Sequence, residues 1–233
     1  MKKVDICLLP ELIKPEMVKN KTVVVIDVFR ASSAIITGLA NGVEHFLAVT
    51  DPKEAKEHQG NNYLAAGERR GEQLPGFDLG NSPYEYRPQM VDGKQVVITT
   101  SNGTRAIAAA QGAKAIFTAC FLNKSSMLNY LNQQADDILL LCSGSHGMLS
   151  LEDTVFAGAM LSGLENFHCN SDECFLSDYL YQENKQDLLS FLNKGAHAQR
   201  LQNLGFEKDI NYCLQVDKFD FLATINNFKI QKY

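Results

Sequence analysis

Asp27 stands at the point where a predicted buried strand ends and a helix begins. The strand is the apolar, β-branched run at residues 22–26, and the helix opens with the polar segment that starts at Arg30. Ligands collect at the carboxyl ends of strands in open α/β sheets, because the free N–H groups of the next helix point toward the same place. A carboxylate at this position can hold a metal ion beside a bound anion.

The same pattern of strand, loop and helix recurs twice, in KQVVITTSNGT at residues 94–104 and in DDILLLCSGSHG at residues 136–147. These loops are rich in Gly, Ser, Thr and Asn, whose backbone and side-chain donors suit an anion. Carboxylates accompany two of the three units, at Asp27 and at Glu152 and Asp153, and oxygen ligands of this kind suit a divalent cation. The three units therefore predict a site that binds phosphate together with a divalent metal ion.

Predicted strands and helices alternate from residue 22 to residue 164, a pattern typical of a largely parallel sheet with helices on both faces. We therefore predict one α/β domain over residues 1–233, with three layers (α/β/α) and a mixed, mostly parallel sheet. From about residue 168 the pattern is more irregular, and the alternating stretch at residues 209–230 predicts antiparallel strands added to the sheet. The segment at residues 72–93 predicts a long ordered loop that closes over the site.

Composition limits the class of protein. A hydrophobic share of 45% and a charged share of 21% are typical of a globular domain, and no run approaches the roughly 20 apolar residues of a membrane span. A net charge of −5 argues against a general nucleic-acid-binding protein. The six dispersed cysteines form no CxxC pair, which predicts reduced thiols and a cytoplasmic location. A homodimer is the default expectation for a chain of this kind.

Six short blocks occur in one order along nearly the whole chain. They are DVFRASS at residues 27–33, AGERRG at 66–71, GFDLGNSP at 76–83, TTSNGTRA at 99–106, CSGSHGMLSLED at 142–153 and GFEKDINYCLQVD at 205–217. In these blocks the chain resembles the 2-phosphosulfolactate phosphatase (ComB-like) family. No single block is convincing, but six blocks in the same order are hard to obtain by chance.

This resemblance implies a magnesium-dependent phosphomonoesterase that hydrolyses 2-phosphosulfolactate to 3-sulfolactate and phosphate, a step toward coenzyme M in methanogens. Similar proteins also occur in bacteria that do not make coenzyme M, so the reaction is better defined than the substrate. Two alternatives stay open. One is a phosphatase for another small phosphorylated 2-hydroxy acid, and the other is a non-catalytic protein that binds an anionic metabolite.

The implied substrate concentrates several negative charges, which must be neutralised before water can approach. Mg²⁺ does this and prefers carboxylate and water ligands. The predicted ligands are carboxylates of the shared blocks: Asp27, Glu68, Asp78, Glu152 and Asp153. A structural role is the alternative for several of them, because Asp27 can cap the following helix, and Glu152 and Asp153 lie in a first helical turn that favours acids.

The predicted catalytic residues are Asp27, Arg30 and His146, with His146 donating a proton to the leaving group. Arginine forks and loop donors provide the predicted substrate-binding residues, which are Ser32, Arg69, Asn81, Ser101, Asn102, Gly103, Thr104, Arg105, Ser143, Gly144 and Ser145. A covalent aspartyl-phosphate at Asp27 is the competing mechanism. Haloacid-dehalogenase-type phosphatases carry a second aspartate two residues later, where this chain has Phe29, so a metal-positioned water is favoured.

Overall fold

A sheet of eleven strands runs through the parts of the chain that the computed structural model describes, residues 2–60 and 62–233. The strands are β1 Lys2–Cys7, β2 Thr22–Ile26, β3 His45–Ala48, β4 Tyr63–Arg69, β5 Glu72–Gln73, β6 Gln95–Thr99, β7 Ala115–Ala119, β8 Ile138–Cys142, β9 Phe167–His168, β10 Ala223–Asn226 and β11 Lys229–Lys232. Their order across the sheet is β5-β4-β6-β3-β11-β10-β7-β2-β8-β1-β9.

Helices connect most of these strands. They are α1 Pro15–Val18, α2 Ala31–Ala40, α3 Pro52–His58, α4 Pro88–Val91, α5 Gly103–Ala109, α6 Lys124–Gln133, α7 Leu151–Leu161, α8 Asp172–Asn184, α9 Leu188–Leu192, α10 Ala196–Asn203 and α11 Glu207–Cys213. Single turns of 3₁₀ helix add Pro10–Leu12, Pro83–Glu85 and Phe121–Asn123. The strand-loop-helix units predicted around residues 27, 101 and 143 correspond to β2–α2, β6–α5 and β8–α7.

The sheet is mixed and mostly parallel. The pairs β2–β7, β2–β8, β1–β8, β1–β9, β3–β6 and β4–β6 are parallel, whereas the hairpin β10–β11 lies antiparallel between β3 and β7. The predicted fold class is therefore confirmed, as is the addition of antiparallel strands by the C-terminal segment. The predicted start of those strands is wrong, because residues 207–213 form α11 and bury Ile210 and Cys213, which lie three positions apart on one helical face.

Both faces of the sheet are covered. Along β2, Val23 and Val25 pack into one apolar cluster with α2 and α5, while Val24 and Ile26 pack into a second cluster with α6, α7, α10 and α11. A strand whose alternate side chains point to opposite faces must be apolar throughout when both faces are buried. This burial explains why TVVVI is a continuous apolar run and gives the three predicted layers.

The sheet curls so that distant strands share one site. The strands that end near Asp27 and Glu68, β2 and β4, stand six places apart, which in a flat sheet would separate them by about 29 Å. Their side chains nevertheless line the same cleft. The start of α5, which follows β6, packs directly against Asp27 at the end of β2: a Cβ atom on Gly103 would lie 2.8 Å from Asp27 Oδ2. Only glycine permits this approach.

The cysteines differ in part from the expectation of reduced thiols. Cys169 and Cys174 are paired as a disulfide with their Cα atoms 6.1 Å apart, while Cys7, Cys120, Cys142 and Cys213 are free and buried. The expectation of reduced thiols is therefore wrong for this one pair. It was based on the absence of a CxxC pattern, and Cys169 and Cys174 pair without that spacing. None of the helices in residues 2–60 and 62–233 is long and apolar enough to cross a membrane. The single-domain organisation stays a prediction.

Gly158→Ala should destabilise the fold although alanine favours helices. A Cβ atom at this position of α7 would lie 2.0 Å from the backbone oxygen of Ser177 in α8, so the two helices would have to move apart. We expect a loss of about 1–3 kcal/mol in the free energy of unfolding, measured by urea denaturation. Glu183→Ala, at an exposed position of α8, is the control and should change stability little.

Candidate active site

A polar cleft lies at the carboxyl ends of the parallel strands. It is lined by Asp27, Phe29, Arg30, Glu68, Arg70, Gly71, Asn81, Ser101, Asn102, His146, His197, Arg200 and Leu201. Loops after β2, β4, β6 and β8 contribute to it, and α10 closes the opposite side. We call this region the cleft.

Asp27 lies at the base of the cleft and is almost completely buried. Its Oδ1 accepts a hydrogen bond from the backbone N–H of Ala31 at 3.1 Å, and its own N–H donates to Ser32 Oγ at 3.0 Å. Burial, together with the charges of Glu68 and Glu152, raises the pKa of Asp27 to about 6, although the Ala31 hydrogen bond and His197 act in the opposite direction. Asp27 therefore bonds to the start of α2 and also supplies a carboxylate to the cleft.

Glu68 fixes two loops in the wall of the cleft. Its Oε1 accepts from the N–H of Ser101 at 2.6 Å, and its Oε2 accepts from the N–H of Gly71 at 2.8 Å and from Ser101 Oγ at 3.2 Å. These bonds join the turn after β4 to the loop after β6. Glu68 forms no surface ion pair with the neighbouring Arg69, since Glu68 is buried and Arg69 donates to backbone and threonine oxygens.

Two further carboxylates lie behind the cleft at the start of α7. Asp153 Oδ1 accepts from the N–H of Val28 at 2.8 Å, and Glu152 Oε1 lies 2.6 Å from His197 Nδ1. Burial raises the pKa of Asp153 well above its usual range, and the charges of Glu152 and Asp27 add to the effect. Burial alone would raise the pKa of Glu152, but the charge and hydrogen bond of His197 lower it below its ordinary value.

His197 is a residue of the cleft that sequence reasoning missed. It lies in α10, where a single histidine in a helical segment gives no signal of its own. Burial would lower its pKa, but Glu152 and Asp27 raise it above the ordinary value, so the imidazolium form is favoured. Because Nδ1 bonds to Glu152, Nε2 is the ring nitrogen left to contact a ligand.

His146, the proton donor predicted from the sequence, lies on the exposed rim of the cleft. Its N–H donates to Asn102 Oδ1 at 3.2 Å, and its Nε2 contacts Arg200 Nη1. Burial, Arg200 and His197 together lower the pKa of His146, which keeps the ring neutral at pH 7. His197 is therefore better suited than His146 to donate a proton.

Arg30 is held rigidly in the cleft wall by a second residue that sequence reasoning missed. Asp209 accepts from Arg30 Nη1 at 2.6 Å, and the two side chains are only 3–4% exposed. Arg30 Nη2 donates to the backbone oxygen of Gly71 at 2.6 Å, and the guanidinium lies over the ring of Phe206 at 4.1 Å. Asp209 occurs in the block at residues 205–217, but nothing in that block marks it as the partner of Arg30.

The predicted substrate-binding residues fall into three groups. Asn81, Ser101 and Asn102 line the cleft. Ser32, Gly103 and Thr104 line a small apolar cavity beneath Asp27. Ser143, Gly144 and Ser145 form the loop after β8, and the Ser143 and Ser145 hydroxyls are buried with no hydrogen-bond partner within the described residues.

The two predicted substrate-binding arginines, Arg69 and Arg105, already have partners. Arg69 donates to the backbone oxygens of Glu68 and Thr50 and to Thr99 Oγ1, and Arg105 Nη2 forms an ion pair with Glu11 at 2.6 Å. Neither lines the cleft, although both border the open space beside it.

Among the predicted metal ligands, the structure brings Asp27 and Glu68 into the cleft and leaves Asp78 outside it. Asp78 is exposed, and its Oδ2 accepts from the N–H of Ala65 at 2.8 Å and from Gln59 Nε2 at 2.9 Å. Asn81, from the same long loop, does reach the cleft. Asp78 thus has a visible role in holding this loop against β4.

The cleft contains oxygen donors that fit a magnesium ion. Across residues 2–60 and 62–233, no three His, Cys, Asp or Glu side chains converge closely enough to hold a metal alone. Mg²⁺ does not need such a cage, since it is commonly bound by one or two carboxylates, water and substrate phosphate. Asp27 and Glu68 supply two carboxylates, and the buried Asn81 Oδ1, which has no hydrogen-bond partner within those residues, supplies an amide oxygen.

Comparison with known proteins agrees with this chemistry. A family model described as 2-phosphosulpholactate phosphatase matches residues 7–227, a range that contains every residue of the cleft. Three relatives each carry the name "Probable 2-phosphosulfolactate phosphatase". The protein of Caldanaerobacter subterraneus subsp. tengcongensis is 39% identical over 90% of this chain and 89% of its own length. The protein of Clostridium novyi is 39% identical over 99% of this chain and 100% of its own length. The protein of Thermotoga petrophila is 39% identical over 90% of this chain and 91% of its own length.

Asp27→Asn should stabilise the metal-free protein at pH 7. The carboxyl group of Asp27 has a pKa of 3.8 when unperturbed and about 6 in the folded protein, so wild-type stability falls as the pH rises from about 4 to about 6 and stays low above it. Removing the charge should raise the free energy of unfolding at pH 7 by about 1–3 kcal/mol. Urea denaturation with EDTA at pH 4 and pH 7 measures this.

The gain should largely disappear at pH 4, where the wild-type carboxyl group is protonated in the folded state. Glu57→Gln removes an exposed charge on α3 and should leave stability unchanged at both pH values. An Asp27→Asn variant that is no more stable than wild type at pH 7 would contradict the raised pKa assigned to the buried Asp27 carboxyl group.

Proposed function

The chain belongs to the 2-phosphosulfolactate phosphatase family, and on that premise we propose that it hydrolyses 2-phosphosulfolactate to 3-sulfolactate and phosphate. One observation carries the proposal: carboxylates and cationic groups meet in a single cleft at the strand ends. The carboxylates are Asp27 and Glu68, and the cationic groups are Arg30, Arg70, Arg200 and His197. A metal ligand set beside guanidinium and imidazolium donors suits a phosphate monoester, which needs its charge neutralised and its leaving oxygen protonated.

We propose that Asp27, Glu68 and Asn81 Oδ1 hold Mg²⁺. The donor chemistry supports this, because all three residues supply oxygen atoms. Burial also disfavours the charged form of Asp27, and a nearby cation would offset that cost. Bound magnesium would supply Lewis-acid polarisation of the phosphate and orientation of water. Glu152 and Asp153 lie behind these donors and hold His197 and the loop after β2 in place.

We propose that His197 donates the proton to the leaving oxygen. The hydrolysis releases an alkoxide, which is a poor leaving group unless a proton arrives at that oxygen. Glu152 holds Nδ1 at 2.6 Å, so the ring orientation is fixed and Nε2 is free for the substrate. A covalent aspartyl-phosphate mechanism of the haloacid-dehalogenase type needs a second aspartate two residues after the first. This chain has the buried Phe29 at that position, and its presence there favours direct attack by water.

The pathway and the setting are further proposals. A role in coenzyme M synthesis rests on the family's implied substrate alone. A cytoplasmic location is supported by four buried free thiols, whereas the Cys169–Cys174 pair gives no support. A homodimer remains the default expectation for such an enzyme.

The purified protein should release phosphate from 2-phosphosulfolactate with Mg²⁺ and lose this activity in EDTA. Asp27→Asn should lower kcat by at least about 100-fold, because it weakens the metal site and removes a charge that acts on the reacting group. Phosphate release in a coupled assay measures both effects, with Glu57→Gln as the control of wild-type activity. If neither this ester nor phospholactate nor phosphoglycolate releases phosphate, the hydrolase proposal fails.

His197→Gln should lower kcat by about 100- to 10,000-fold, whereas His146→Gln should lower it less than about tenfold, since the site raises the pKa of His197 and lowers that of His146. Activity that needs the imidazolium form is lost as the pH rises through the pKa of His197. Glu152→Gln removes the charge that raises this pKa and should shift the falling limb of kcat toward lower pH. A larger loss in His146→Gln would reverse the assignment.

A further inference from the structure

An open basin adjoins the cleft and shares Arg70, Ser101 and His146 with it. The basin has a volume of about 480 Å³ and is bordered further by Thr50, Arg69 and Arg105. The cleft contains the proposed catalytic groups, and the three shared residues leave the basin open to the rest of a ligand whose phosphate is bound in the cleft. Three arginines around one space select for negative charge.

Within residues 2–60 and 62–233, one of these three arginines has a guanidinium without a hydrogen-bond or ion-pair partner. Arg69 donates to three oxygen atoms of the protein, and Arg105 is paired with Glu11. The Arg70 side chain makes no hydrogen bond or ion pair with any residue in the described ranges, and it is exposed toward both spaces. Arg30, deeper in the cleft, is neutralised by Asp209. Arg70 is thus the cation of the basin that is available to an incoming anion.

The backbone fixes the position of Arg70. It forms the two-residue turn between β4 and β5 together with Gly71, and both residues have positive φ, +59° and +92°. Asn, Asp or Gly usually occupies such a position, and an arginine there costs backbone energy, which is the kind of strain found at functional sites. Gly71 donates to Glu68 and accepts from Arg30, so the turn is anchored directly to the cleft.

The chemistry of the substrate suggests what Arg70 binds. 2-Phosphosulfolactate carries a carboxylate and a sulfonate besides the reacting phosphate, and a sulfonate keeps its negative charge at all physiological pH values. Its three oxygens in a compact group match the planar fork of a guanidinium. A simple phosphorylated 2-hydroxy acid such as phospholactate lacks this group.

Resting on the proposed function, we infer that Arg70 and the basin bind the sulfonate of the substrate and so select esters that carry an additional strong acid. Arg70 is then a specificity residue. It contacts a part of the substrate that does not react.

The test compares binding of 3-sulfolactate and of lactate by calorimetry with Mg²⁺, so that it does not depend on turnover. Wild type should bind sulfolactate more tightly than lactate. Arg70→Gln should weaken sulfolactate binding by about 10- to 100-fold and leave lactate binding unchanged, because one charge-assisted pair is lost. Arg70→Lys keeps the charge but lacks the planar fork of donors, so its sulfolactate affinity should lie between those of wild type and Arg70→Gln.

Arg87→Gln is the matched control, since Arg87 is an exposed arginine outside both spaces that donates only to the backbone oxygen of Tyr84. Thermal melts of each variant verify folding. Equal sulfolactate affinity in wild type and Arg70→Gln, or no preference of wild type for sulfolactate over lactate, would overturn the inference.

Phosphate release from 2-phosphosulfolactate, measured on the same preparations, separates the two proposals. Hydrolysis without an effect of Arg70→Gln on sulfolactate binding would overturn the inference alone. Preferential, Arg70-dependent binding of sulfolactate without hydrolysis would support the inference and overturn the proposed function.

Discussion

The burial of four carboxylates at one end of the sheet is the constraint on which this site depends. Asp27, Glu68, Glu152 and Asp153 are all at most 6% exposed and lie at one end of the sheet. Like charges removed from water are costly, and burial raises the pKa values of Asp27 and Asp153 for that reason. Each carboxylate is therefore given its own donor, a backbone N–H for three of them and an imidazole for Glu152. Those donors fix the loops that build the cleft.

The same constraint connects structure to function. A protein that needed Asp27 and Asp153 only for folding would gain stability from neutral side chains at these two positions, since burial raises the pKa of both carboxyl groups. The site keeps both carboxylates, and the cleft also contains Asn81 Oδ1, which has no partner in the described part of the chain. Such an arrangement is costly without a ligand, which fits the proposed binding of a divalent cation and a phosphate ester.

The positive groups of the cleft have separate tasks for the same electrostatic reason. Arg30 is neutralised by Asp209 and acts as a rigid part of the wall, and Glu152 raises the pKa of His197. Arg70 alone lies on the wall common to the cleft and the basin with a guanidinium that no described residue engages. Cations that are compensated within the protein shape the site, while an uncompensated one is available to the substrate.

The α/β class, the strand-loop-helix units and the place of Asp27 at a strand end could be predicted from the sequence, because these follow from local patterns: apolar runs, helix-starting residues and loop composition. Which side chains meet depends on packing. Asp27 and Glu68 end strands six places apart and converge because the sheet curls around α2 and α5. His197 and Asp209 enter from helices far along the chain, and Asp78 turns to β4. Partners that lie 45 residues apart, such as Glu152 and His197, or 179 residues apart, such as Arg30 and Asp209, leave no periodic signal in the sequence, so only packing reveals them.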